Sequence, residues 1–185
     1  MATHPMLWTI GHSTRSSDAF MAALRAWRIE QLADVRSIPR SRHNPQFNAE
    51  ALTADMTRAG MIYVRMPGLG GLRKPWKDSF NKGWRNASFR GYADYMQTDQ
   101  FATSLEALMT EAARRRTAIM CAEAVPWRCH RLLIADTLLS RGWAVYHILS
   151  DTNLQPHTLT PFAKLESGTV TYPAPSNSTE TPSLF

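Results

Sequence analysis

The sequence predicts an α/β fold: a single domain with a five-stranded, mostly parallel sheet and helices on both faces. Three observations carry this expectation. Short apolar runs alternate with segments whose apolar residues recur at helical spacing. Capping residues and Gly or Pro breaks punctuate the joints between them. The chain, at 185 residues, is long enough for one real core and too short for two comfortable ones. Strands alternating with helices in this way form βαβ units.

Leu7 to Ile10 is the first strand, ending in Gly11-His12-Ser13-Thr14. Ser16 or Ser17 can cap a helix carrying Phe20, Met21, Leu24 and Trp27 on one face. Ile29 to Val35 reads as the second strand, closed by Asp34-Val35-Arg36 and broken at Pro39. Asn48 can cap a second helix, with Leu52 and Met56 inward and Gly60 ending it. Met61 to Val64 is the third strand, leading to Pro67-Gly68-Leu69-Gly70-Gly71.

Residues 72–90 are basic and aromatic without a clean period, which reads as a long loop. Tyr92, Tyr95 and Met96 suggest a short helix, and Thr98 can cap a longer one through Phe101, Leu105, Leu108, Met109 and Ala112. Ala118 to Met120 is the fourth strand. A helix entered at about Cys129 runs to Gly142, and Trp143 to Leu149 is the fifth strand. The α/β domain thus spans 6–150. Residues 151–185 form a C-terminal extension whose pattern dissolves, with a flexible tail from about 173, where Pro, Ser, Thr and Asn dominate.

Composition narrows the function classes. No basic-then-apolar leader opens the chain, no apolar stretch nears the roughly 18 residues of a membrane helix, and two cysteines cannot staple a secreted scaffold. A reduced, cytoplasmic protein with no membrane partner is the expectation. Net charge is +6, but the segment from Arg36 to Arg90 alone carries eleven basic residues against Glu50, Asp55 and Asp78. That local +8 either draws phosphates toward one face or is a solvated surface.

The chemistry concentrates in residues 117–131, where both cysteines, Glu123, His130, Arg128 and Arg131 fall at a strand-to-helix turn. In a parallel sheet, ligands bind outside the carboxyl edge of the strands. His12, Arg36, Gly70 and Gly71, and the Cys121–Arg131 loop all follow strands, so they are expected to converge. Arg36, Arg128 and Arg131 would hold an anion near a helix N-terminus. Glu123 and Asp34 would orient polar groups, and His12 or His130 would move protons. Alternatively, Arg131 pairs with Glu123 or Asp34 and pins the loop.

Cys121 and Arg128 form C-x6-R, one residue longer than the cysteine-phosphatase signature, and Glu123 would place a negative charge in that cradle. Cys129 is the alternative nucleophile, since a helix start and arginines lower a thiol pKa. Unpaired cysteines are also commonly small buried apolar residues. A metal site would take Cys121, Cys129 and His130 with a fourth ligand such as His12. Adjacent residues on a helix point about 100° apart, which makes that chelate awkward. A Cys121–Cys129 disulfide is disfavoured in a reducing cytosol. Phe47, Trp76, Trp84, Phe89 and Tyr92 lie among the cations and suit either base stacking or a core with a basic rim. No zinc finger or Walker loop occurs, and Gly68-x-Gly70-Gly71 is too short for a nucleotide fingerprint.

Thr9-Ile10-Gly11-His12-Ser13, Asp34-Val35-Arg36, Ser41-Arg42 before Pro45-x-Phe47, Leu69-Gly70-Gly71, and Cys121-x-Glu123 through Cys129-His130-Arg131 together resemble the bacterial and archaeal "domain of unknown function 488" family. The resemblance runs from about residue 8 to 149. It implies a compact α/β domain, and the family's polar signature falls here on His12, Asp34, Arg36, Cys121, Glu123, Cys129, His130 and Arg131. No activity comes with it.

The expectation is therefore a strand-end pocket for a phosphate-bearing small molecule or nucleic acid, catalytic or not, with no cofactor indicated. Its alternatives are a nucleic-acid-binding module built on loop 73–90, and a thiol-redox or metal-binding protein using Cys121, Cys129 and His130.

Overall fold

The computed structural model describes residues 4–166 and 168–175. Strands β1 (Met6–Gly11), β2 (Gln31–Asp34), β3 (Ile62–Arg65), β4 (Thr117–Cys121) and β5 (Ala144–Ile148) run parallel in the order β3-β2-β4-β1-β5. A sixth strand, β6 (Leu154–Pro156), pairs antiparallel with β5. The helices are α1 (Ser17–Ala26), α2 (Ala49–Arg58), α3 (Ala87–Tyr95), α4 (Asp99–Arg114) and α5 (Arg131–Ser140).

Strand alternation sorts the core into two layers. Ile10, Leu32 and Met120 face α1 and α2, packing on Phe20, Leu24, Leu52 and Met56. Leu7, Ala33, Ile119 and Val145 face the other way, onto Leu105 and Leu108 of α4 and Leu133 and Leu138 of α5. The helices lie on both faces, as the periodicity predicts. The predicted caps at α1 and α4 form: Ser16 accepts from Ala19 N–H and Thr98 from Phe101 N–H, each at 3.2 Å. Asn48 does precede α2, but its side chain accepts from Ser41 N–H at 2.8 Å and makes no cap bond.

Two local expectations are corrected. The sheet has six strands: Leu154-Gln155-Pro156 shows no alternation to read, and its proline is accommodated because the strand lies at the edge. The last helix begins at Arg131 rather than Cys129. Pro126–Arg128 is a single 3-10 turn, and Cys129 is extended (φ −136°, ψ 145°). The extension beyond Ser150 is partly built into the fold: after β6, the hairpin β7 (Lys164–Glu166) and β8 (Thr169–Thr171) leads to Tyr172, which is fully buried. The expected flexible tail falls mainly on residues 176–185, outside the described residues.

Loop 72–86 is held by one buried carboxylate. Asp94 of α3 accepts from Trp76 N–H at 2.9 Å, Ser79 O–H at 2.7 Å and Asn81 amide N–H at 2.8 Å. An unmade buried hydrogen bond costs about 1–3 kcal/mol. Asp94→Ala strands three donors, so urea unfolding should show a loss of about 3 kcal/mol or more. A loss below about 1 kcal/mol would mean the loop is held otherwise.

Candidate functional site

Because β4 lies between β2 and β1, three carboxyl ends meet at one edge. The ladder continues beyond the strands: His12 N–H donates to Cys121 O (3.0 Å), Ser13 N–H to Ala122 O (2.9 Å) and Val35 N–H to Met120 O (3.1 Å). Gly11 is required here, since a side chain would collide with the Glu123 carbonyl as the 122–125 loop crosses the end of β1. Gly71 is required for a similar reason: a Cβ there would stand 2.9 Å from His130 Nδ1. His12 and Arg36 thus share a rim with the Cys121–Arg131 loop.

The convergent residues form two clusters. In the first, the Arg36 guanidinium donates to both oxygens of Asp34 (2.9 and 2.6 Å), to Phe47 O (2.8 Å) and to His12 Nε2 (3.2 Å). Tyr63 O–H also donates to Asp34 (2.6 Å). His12 stacks on Phe47 at 4.3 Å between ring centroids, and its Nδ1–H donates to Ser13 O (2.8 Å). Both ring nitrogens are therefore committed. Burial lowers the His12 pKa to about 4, with the Arg36 charge acting in the same direction.

The second cluster is the thiol group. His130 Nε2 lies 3.3 Å from Val35 O, so it carries the ring proton and donates it. Nδ1 then presents its lone pair to two sulfurs, at 3.8 Å from Cys129 and 4.0 Å from Cys121. The three candidate donor atoms all lie within 4.8 Å of one another. The awkward chelate expected from helical neighbours does not arise, because extended Cys129 and the residue after it do not sit on a helix face together. His12 is not part of this group.

Arg131 is fully buried and spends its guanidinium on three acceptors: Cys129 Sγ (3.3 Å), Thr9 Oγ1 (3.4 Å) and the Glu123 carbonyl (2.6 Å). It does pin the loop, but through a backbone oxygen rather than the expected carboxylate. The two thiols diverge electrostatically. A hydrogen bond to Cys129 and burial push Cys121 far up. Burial alone would raise Cys129 as well, but its interaction with Cys121 and the Arg131 charge hold it well below the ordinary thiol range.

The remaining expected residues stand at the rim. Glu123 and Arg128 are exposed, and neither side chain makes a hydrogen bond among the described residues. Gly70 packs on Ser37, whose hydroxyl donates to Gly71 O (2.8 Å). Sequence reasoning missed Thr9, Asp136, His147, His157 and Tyr172, which form a buried polar network behind Arg131. One signal was legible: His147 and Asp136 interrupt apolar runs, and a buried polar group needs a partner.

The family described as Domain of unknown function DUF488 matches residues 16–138, which include Asp34, Arg36, Cys121, Cys129, His130 and Arg131 but not His12. No curated protein and no solved structure matches the chain. Among the described residues, no helix is long and apolar enough to cross a membrane.

Burial also lowers His147 to about 3. Unfolded imidazoles titrate near pH 6.5, so between that value and about 4 the unfolded chain takes up protons that folded His12 and His147 refuse. Their stabilisation is complete above about pH 6.5 and is lost as pH falls, at about 1.4 kcal/mol per pH unit for each excess proton. Urea midpoints measured from pH 7 to 4.5 should decline, and His147→Gln should flatten the slope. An unchanged slope would remove His147 from this account.

Proposed function

Starting from a chain that belongs to the Domain of unknown function DUF488 family, we propose that this protein binds a thiophilic d10 metal ion, of which Zn2+ is the reference case, through Cys121, Cys129 and His130. The observation that carries the reading is the His130 ring, anchored through Nε2 on Val35 O while Nδ1 faces both sulfurs. Metal-bound histidines are oriented in this way, with the far nitrogen donating to a carbonyl or carboxylate. Zinc–sulfur bonds of about 2.3 Å and zinc–nitrogen bonds of about 2.0–2.1 Å at tetrahedral angles separate donors by roughly 3.5–3.8 Å. The distances of 3.8 and 4.0 Å need to close by only a few tenths of an ångström.

Electrostatics favours the same reading at Cys129, whereas Cys121, held as a thiol, would lose its proton on binding. A metal ligand must be a thiolate, and Cys129 is already held toward that form. The Arg131 Nε–H on Cys129 Sγ would temper the charge of a bound thiolate. Three protein ligands leave a fourth position for water or substrate, as in catalytic zinc sites.

Titrating the chelator-treated full chain with Co2+ should produce a thiolate-to-metal charge-transfer band that saturates at one ion and is displaced by Zn2+. Cys121→Ser and Cys129→Ser should each weaken binding by more than the roughly 10–100-fold typical of an outer partner. No charge-transfer band in the wild-type chain would dispose of the reading.

One observation favours a second reading, that of a phosphate-bearing ligand or nucleic acid at the rim. Arg42, Lys74, Lys77, Lys82, Arg85 and Arg128 are exposed, whereas Arg36 and Arg131 are committed to protein acceptors. An anion would therefore meet the outer cations. Retention on heparin or an oligonucleotide should fall with salt, weaken when Lys74, Lys77, Lys82 and Arg85 become Ala, and survive Glu123→Gln. Retention unaffected by those four changes would reject it.

A further inference from the structure

The buried network behind Arg131 has a direction that can be assigned donor by donor. Arg131 NH1 donates to Thr9 Oγ1 (3.4 Å), so the Thr9 hydroxyl proton is free to point at His147 Nδ1 (2.8 Å). With Nδ1 accepting, His147 carries its proton on Nε2 and donates it to His157 Nδ1 (3.1 Å). His157 then carries its proton on Nε2 and donates it to Asp136 Oδ1 (2.9 Å). Asp136 also accepts from Thr160 N–H (2.9 Å), Thr160 O–H (2.7 Å) and Tyr172 O–H (2.7 Å). Thr9, Arg131 and Asp136 are sealed from solvent, and both histidines are nearly so.

A cation and a carboxylate thus sit at the two ends of one hydrogen-bonded chain. Arg131 and Asp136 are five residues apart on α5, and the connection runs out through β1 and β5 and back through the segment after β6. Burying either charge alone would be costly. A continuous chain of hydrogen bonds polarises along its length and ties the two together.

We infer that Thr9, His147, His157 and Asp136 are positioning residues for the thiol site: they hold the Arg131 guanidinium against Cys129 Sγ and thereby set how tightly Cys121, Cys129 and His130 grip an ion. The inference rests on the metal reading above. It makes the part of the chain after α5 a component of the site rather than an appendage. Thr9 is the cleanest place to cut, because Val preserves its branched shape and removes only the hydroxyl.

The test combines two readouts on the full chain. The first is Co2+ and Zn2+ affinity with the thiolate-to-cobalt band. The second is solvent exchange of the Arg131 Nε–H by nitrogen-15 NMR, which needs no metal. Thr9→Val should weaken Zn2+ binding roughly 10-fold, within the range of outer-partner losses. It should also shift the cobalt band and speed Arg131 Nε–H exchange, and Thr9→Ser should restore all three. His157→Gln should act in the same direction from two links away. Ser79→Ala removes a buried donor to Asp94, outside this chain, and should leave affinity and band unchanged.

Wild-type affinity and exchange in Thr9→Val would overturn the inference, as would an equal loss in Ser79→Ala. Should Thr9→Val not fold, His157→Gln decides by the same criteria. If the wild-type chain binds neither ion, the metal reading has failed. Unchanged exchange in Thr9→Val would then reject the Arg131 link separately, and faster exchange would uphold it.

Discussion

Insertion of β4 between β1 and β2 is the constraint on which the rest depends. It aligns three strand ends in register and lets backbone hydrogen bonds run past them, so the loops after β1, β2 and β4 are fixed against one another. Every polar group at this edge inherits its position from that alignment. His130 reaches Val35 O because the residue after β2 is tied by its N–H to Met120 of β4. The bare backbones of Gly11 and Gly71 remove the atoms that would otherwise keep these loops apart.

Within this frame, buried charge is managed in two self-contained ways. Arg36 is neutralised locally by a bidentate Asp34, with His12 held neutral against it. Among the described residues, Arg131 has no carboxylate in direct contact. Its three acceptors are a sulfur, a hydroxyl and a carbonyl, and the nearest carboxylate along its hydrogen-bonded chain is Asp136. A sulfur beside an unneutralised guanidinium is drawn toward the thiolate. The two cysteines therefore differ although they share one pocket: Cys129 receives the Arg131 Nε–H and Cys121 does not.

The C-terminal segment shows how a site can depend on residues remote from it in sequence. β6 is a three-residue edge, and the β7–β8 hairpin makes little core of its own, yet Tyr172, Thr160 and His157 all end on Asp136. The segment adds polar closure to the apolar burial of Val170 and Tyr172. The family match ends at residue 138, before His147 and His157.

The layers, the parallel strands and the convergence of the strand-end loops were legible in the residues alone. Apolar periodicity is local, and the edge rule of parallel sheets follows from it, so His12, Arg36, Gly71 and the Cys121–Arg131 loop could be placed on one rim from residues alone. Which partners those residues take there depends on the folded arrangement. Whether Arg131 meets a carboxylate or a carbonyl, whether Cys129 lies inside the helix or just before it, and which buried histidines connect to Asp136 turn on ångström distances between segments far apart in the chain. Side-chain pairing of that kind leaves no period in the sequence, and a three-residue edge strand ending in proline leaves no alternation to read.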